Sequence, residues 1–283
     1  MSTTAPQDDR ILPLTRVVAA VVIVILLFAW GVLFLLPSQT DHRFAWTIRP
    51  SMTALLMGAG YGSALYFFAR VLTGDRWHRV ALGFLPTTVF TWMMLVATMK
   101  HWDRFHHGSL AFALWFWIYL ITPVLVPAVW FMNRRHDPGV TKGMNMVFPS
   151  RFRLAMALAG GGMLAIAAWM YFAPASAADL WPWGLTALTA RAVASFVALP
   201  GVAWLAIAAD ARLSAAPAML GTLALGLVLL LVAVARSWNE FDHSNVLSFV
   251  YVAGLVATLV AIGGLSLWIR NRERTPQTAA PAR

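Results

Sequence analysis

The sequence predicts an all-α integral membrane protein whose eight transmembrane helices form two tandem parallel four-helix repeats, and three observations carry that prediction. Hydrophobic residues fill 60% of the 283 positions and charged residues only 11%, against roughly 45–50% and 25% in soluble domains. Apolar runs long enough to cross a bilayer, which takes about 20 residues, recur along the whole chain. A shift of 136 residues superposes the polar landmarks of the chain on one another without a gap.

Seven spans are free of charge: Val17–Leu36, Pro50–Ala69, Val80–Met99, Leu110–Met132, Leu154–Ala175, Leu213–Ala235 and Val246–Ile269. An eighth, Leu185–Ala209, contains Arg191 near one end, where a long side chain can snorkel to the interface. The first run is longer than the apolar core of a signal peptide and no small-residue cleavage site follows it, so it reads as a retained helix. Pro123 and Pro127 should kink the fourth helix, whereas the second copy carries Leu259 and Gly263 there. The glycine triplets Gly58, Gly60, Gly62 and Gly160, Gly161, Gly162 lie inside apolar spans and read as close-packing faces.

The repeat is defined by Pro13 falling on Pro149, Thr53-Ala54 on Thr189-Ala190, Arg76 on Arg212 and Arg134 on Arg270. The loop Lys100–His107 lies over Arg236–His243, matching tryptophan, phenylalanine and the last histidine. This divides the chain into a disordered N-terminus (1–12), a first repeat (13–135), a linker (136–148), a second repeat (149–271) and a disordered tail (272–283). An even number of helices per unit makes the copies parallel, so any pseudo-twofold axis runs along the membrane normal.

Lys and Arg number fifteen on the side of the termini and five on the other, which predicts both termini cytoplasmic. The home is a bacterial plasma membrane, in keeping with nineteen arginines against two lysines and abundant alanine, the residue usage of a GC-rich genome. The basic residues sit singly at the ends of apolar runs, so the net charge of +10 does not form a nucleic-acid stripe. Absence of cysteine excludes disulfides, iron–sulfur clusters and thiolate zinc sites.

Polar chemistry gathers on the extracytoplasmic side. The candidate site comprises His101, Asp103 and His107 from one copy and Glu240, Asp242 and His243 from the other. His106 stands beside them, and His107 and His243 would be symmetry mates. One reading is structural: Trp46, Trp102, Trp181, Trp183 and Trp238 form an aromatic belt while the charges cap helices. A second makes His107 and His243 metal or haem ligands, and a third gives phosphates of a lipid to Arg49, Arg104, Arg191 and Arg236, with an acid as general base. Arg49 and Arg191 each stand at the start of the second helix of their unit and are anion-binding candidates; alternatively each pairs with a carboxylate such as Asp103 or Glu240. Ion-coupled transport is disfavoured because the helix centres lack ionisable residues.

The strings Phe44–Ala54 and Ala97–Phe105 resemble segments of uncharacterised polytopic membrane proteins of GC-rich bacteria, which supports the fold class and supplies no activity. The sequence favours a binding or accessory component with an extracytoplasmic polar surface, whose partners are the lipid bilayer and a protein partner or a second copy of itself. The alternative is a membrane enzyme or a haem or metal protein, and a transporter ranks below both. Whether any cofactor is bound stays unassigned at this level.

Overall fold

The computed structural model describes residues 8–135, 137 and 146–274. Among them are eight helices long and apolar enough to span a membrane: α1 (Pro13–Trp30, running on through a π-turn at Gly31–Leu35), α2 (Ser51–Thr73), α3 (Phe84–Lys100), α4 (Leu110–Arg134), α5 (Ser150–Phe172), α6 (Ala187–Asp210), α7 (Pro217–Arg236) and α8 (Val246–Arg274). No strand occurs among the described residues. The chain is therefore a polytopic α-helical membrane protein. Its lipid-facing spans keep their apolar side chains exposed, as on α8, where 11% of the best spanning window is buried, while α6 is 67% buried and forms the centre.

Neighbours in sequence pair in space: α1 with α2, α3 with α4, α5 with α6 and α7 with α8. Between the halves, α2 packs on α7 and α3 on α6, while α2 and α6 meet at the middle. The α5–α6 contact is close because Gly160 sits against the Gly201 carbonyl, where an added Cβ would come within 2.7 Å. Gly161 and Gly162 face open space, so only Gly160 of that triplet is a packing glycine. Helix α4 continues through Pro123 and Pro127 without a break.

One end of the bundle, the terminal face, gathers the N-terminus and the α2–α3, α4–α5 and α6–α7 connections. Arginine caps the helices there: the Arg16 guanidinium donates to the carbonyls of Leu72 and Gly74 at the end of α2, both at 2.8 Å. Arg153 donates to Ala208 at the end of α6 at 2.9 Å, in each case meeting carbonyls that the helix leaves unpaired. Residues 8–12, expected to be disordered, are held down. Asp9 and Ile11 are buried, the Asp9 carboxylate meets the buried His78 ring and backbone, and Leu12 donates to Asn133 Oδ1. The span count gave no hint of this because the anchoring bonds come from residues 65 or more positions away. The linker likewise packs at both ends, with Asp137 on Arg212 and Phe148 buried; residues 136 and 138–145 of it lie outside the described residues.

At the opposite, distal face the α3–α4 and α7–α8 connections fold alike. Each opens with a 3-10 turn, Trp102–Arg104 and Trp238–Glu240, and each returns to an earlier loop by one backbone bond, His106 to Ala45 and Asp242 to Pro182. Beneath them Trp46 packs on Phe105 and Trp115, and Trp183 packs on Phe241 and Tyr251. Both tryptophans are 2% exposed, so the expected aromatic belt is corrected for them. They are core residues, buried by the loops that the sequence reading placed at the headgroups.

Candidate functional site

The distal loops bring the expected site residues to one face but give them separate employment. His107 Nε2–H donates to the Trp102 carbonyl, 2.8 Å away, and the ring lies against the Trp102 ring. His243 repeats this with Trp238 at 3.0 Å. Each of these two histidines thus closes its own loop from an exposed position. Among the described residues no group of three or more His, Asp and Glu stands close enough to hold a metal ion. His106 contacts the Thr47 hydroxyl and the Phe44 carbonyl.

The acids differ more than the histidines. Asp103 is exposed beside Arg104, and Asp242 folds back on Ser244, whose backbone and hydroxyl donors hold its carboxyl below the usual range. Glu240 crosses between halves: its two carboxylate oxygens accept from the backbone N–H groups of Ser51 and Met52, at 3.1 and 2.6 Å. A carboxylate at the free N–H groups that open α2 is matched to the helix dipole. A second tie between the halves runs the same way, from Trp183 Nε1 to the Thr53 hydroxyl at 2.9 Å.

Neither arginine meets the carboxylates considered for it. Arg49 lies 3.9 Å from Asp41 and is largely exposed. Arg191 instead donates to His101 Nε2 at 2.7 Å and folds back toward the Ala187 carbonyl at the start of its own helix. Since guanidinium can only donate, this contact fixes His101 as neutral imidazole with its proton on Nδ1. Burial lowers the His101 pKa first and the Arg191 charge lowers it further, with Asp103 opposing. Chain distance hid the pair: the two residues are 90 positions apart, and no spacing rule links them.

An apolar cavity of about 570 Å³, not anticipated from composition or motifs, is reached by α2, α3, α5, α6, α7 and α8. Its walls include Gly60, Phe196, Pro200, Gly226, Leu230, Tyr251 and Gly254. Most hydroxyls along it are satisfied on their own helices, as Ser63 on Gly60, Thr222 on Ala218 and Thr258 on Gly254. Tyr251 has no hydrogen-bond partner among the described residues. Against Gly226 and Gly254, the positions 136 residues earlier hold Phe90 and Ile118. There the space is packed: Phe90 lies 4.8 Å from Phe196 and 6.1 Å from Tyr119, and Trp115 lies 4.3 Å from Tyr119. The signal that could have found the cavity was this exchange of a bulky residue for glycine at the 136-residue offset. A smaller polar recess of about 340 Å³, lined by Asp179, Trp181, Glu240 and Asp242, adjoins it through Trp181.

No protein-family model, no curated protein and no solved structure matches this chain.

Proposed function

We propose that this membrane protein is a binding component that holds one glycerolipid of the bilayer by its acyl chain in the apolar cavity that α2 and α3 share with α5–α8. The observation that carries the reading is the cavity left open at Gly226 and Gly254, whereas rings pack around Phe90 and Tyr119 at and beside the positions 136 residues earlier. A volume of about 570 Å³ with apolar walls and few polar groups is that of a small-molecule site. At hydrocarbon depth the molecules at hand are lipids. Tyr251 stands five residues below the distal end of α8, about 7 Å down at 1.5 Å per residue, the level of an ester oxygen that its hydroxyl can meet.

The remaining features fit this reading. The Lys and Arg excess supports a cytoplasmic terminal face and an extracytoplasmic distal face in a bacterial plasma membrane. The recurring 3-10 turns, tryptophan–histidine contacts and arginine caps support descent of the two halves from one four-helix unit.

The test is lipid retention. Gly254 lines the cavity and an added Cβ there meets nothing within 4 Å, so Gly254→Leu adds bulk at the cavity wall. Native mass spectrometry of delipidated wild type should show one tightly held lipid, and Gly254→Leu should lose it. An equal lipid complement in both proteins refutes the proposal.

A further inference from the structure

The apolar cavity has two fixed ends. Toward the distal face its wall is Tyr251, whose ring is held edge-on by Trp181 at 6.0 Å and Trp183 at 5.4 Å. Toward the terminal face it reaches Phe67, Gly83 and Met219. These three are packed together: Phe67 and Met219 are buried, and a Cβ added at Gly83 would strike the Phe67 ring and the Met219 methyl. The buried Phe84 backs this floor, its ring 5.8 Å from that of Phe67. Gly83 and Met219 stand 136 positions apart, so the floor lies where the matching starts of α3 and α7 meet.

The distance between the ends can be read along α8. Tyr251 and Ile262 both line the cavity and are eleven residues apart, about 17 Å at 1.5 Å per residue. Ile262 is sixteen residues from the distal start of α8 and Met219 seventeen from the distal end of α7, so they mark nearly one level. The whole lining of α8, from Leu247 to Ile262, is about 22 Å deep, and about 570 Å³ spread over it gives a mean cross-section of about 25 Å². That is room for one hydrocarbon chain and not for two abreast. An extended chain of tetrahedral atoms advances about 1.2 Å per bond, as a polypeptide does at about 3.6 Å per three bonds. The depth beneath Tyr251 therefore takes about 14 carbons.

We infer that the cavity is a length gauge for acyl chains: it selects a glycerolipid whose straight chain of about 14–16 carbons runs from an ester at Tyr251 to the floor at Met219. The inference rests on the lipid-chain reading and names the class of lipid within it. A shorter chain leaves an apolar void above a close-packed floor that cannot rise to fill it. A longer chain must bend or pass out between the walls. Each carbon that reaches further toward the floor adds dispersion contacts with the lining.

Delipidated full-length protein in neutral detergent is offered an equal mixture of phosphatidylglycerols with saturated chains of about 8 to about 20 carbons, and the retained species are weighed by native mass spectrometry. Two variants move the floor in opposite directions. Met219→Ala removes the side chain that meets Gly83 and deepens the cavity. Thr258→Phe sets a ring on the cavity wall seven residues beyond Tyr251, about 10 Å down, and raises the floor. Wild type should retain chains of about 14–16 carbons about tenfold better than those of about 8. Met219→Ala should shift the retained distribution to longer chains and Thr258→Phe to shorter ones, and either shift is read alone if the other variant fails to fold. A retained lipid with a flat chain distribution in wild type, or with the same distribution in wild type and variants, overturns the gauge and leaves the lipid-chain reading standing. Absence of any retained phosphatidylglycerol from wild type overturns both.

Discussion

Replacing Glu240 by glutamine tests whether one half of the molecule holds the other in place. The carboxylate, partly buried, accepts two backbone N–H groups at the start of α2, at 3.1 and 2.6 Å. Glutamine keeps the shape and one acceptor oxygen but turns an NH2 toward the second N–H, which leaves a donor facing a donor. A hydrogen bond to a charged group contributes about 1.5–3 kcal/mol, and a charge at a helix N-terminus about 0.3–1 kcal/mol. These are overlapping descriptions of one contact, so the expected loss is about 2–3 kcal/mol and not their sum. Unfolding by titration with a denaturing detergent, followed by circular dichroism, measures the difference between Glu240→Gln and wild type under one condition. Asp103→Asn serves as the control, since Asp103 and Arg104 are 75% and 71% exposed and such pairs contribute little. If Glu240→Gln unfolds with wild type while the control also shows no change, the carboxylate does not anchor α2 and the reasoning fails.

Further outcomes follow from the same contacts. Trp183→Phe removes the bond to the Thr53 hydroxyl while retaining most of the ring packing; a loss of about 1 kcal/mol in the same titration is expected. Arg212→Gln leaves the Asp210 carboxylate without the cation that meets it at 2.7 Å with both side chains largely buried, and should destabilise by about 2–3 kcal/mol, less than the 3–5 kcal/mol of a fully buried pair. Because the folded protein depresses the His101 pKa below the ordinary 6.5, the neutral form is favoured on folding. Its contribution is present above pH 6.5 and lost as the pH falls below that value. His101→Gln should flatten that acid-side slope in stability, and an unchanged slope would assign it to other groups.

The spans were legible because hydrocarbon imposes a length and a composition on any helix that crosses it. All eight expected runs overlap the observed helices, including the one that carries Arg191. What the pattern could not give was contact between distant residues. Asp9 and His78, Arg16 and the end of α2, Arg191 and His101, and Glu240 and Ser51 are all set by how helices pack. The candidate histidines His107 and His243 each close their own loop on a tryptophan carbonyl, a contact that their recurrence in sequence does not specify. Trp46 and Trp183 were misplaced for a related reason: tryptophan near a span end is expected at the interface, whereas Phe105 and Trp115 cover the one and Phe241 and Tyr251 the other.

Contacts that recur in both halves account for the fold, so the positions at which matching residues differ are the informative ones for function. Phe90 against Gly226 and Ile118 against Gly254 exchange bulk for space within the membrane, while Arg104 against Glu240 and Leu55 against Arg191 exchange charge at the distal face. The first two exchanges act in one direction: space is left at Gly226 and Gly254, while Phe90 packs against Phe196. Random drift on a scaffold held by packing would be expected to fill cavities, since an apolar void reduces stability. Retention of the space at Gly226 and Gly254 is what the proposed lipid-chain site would require.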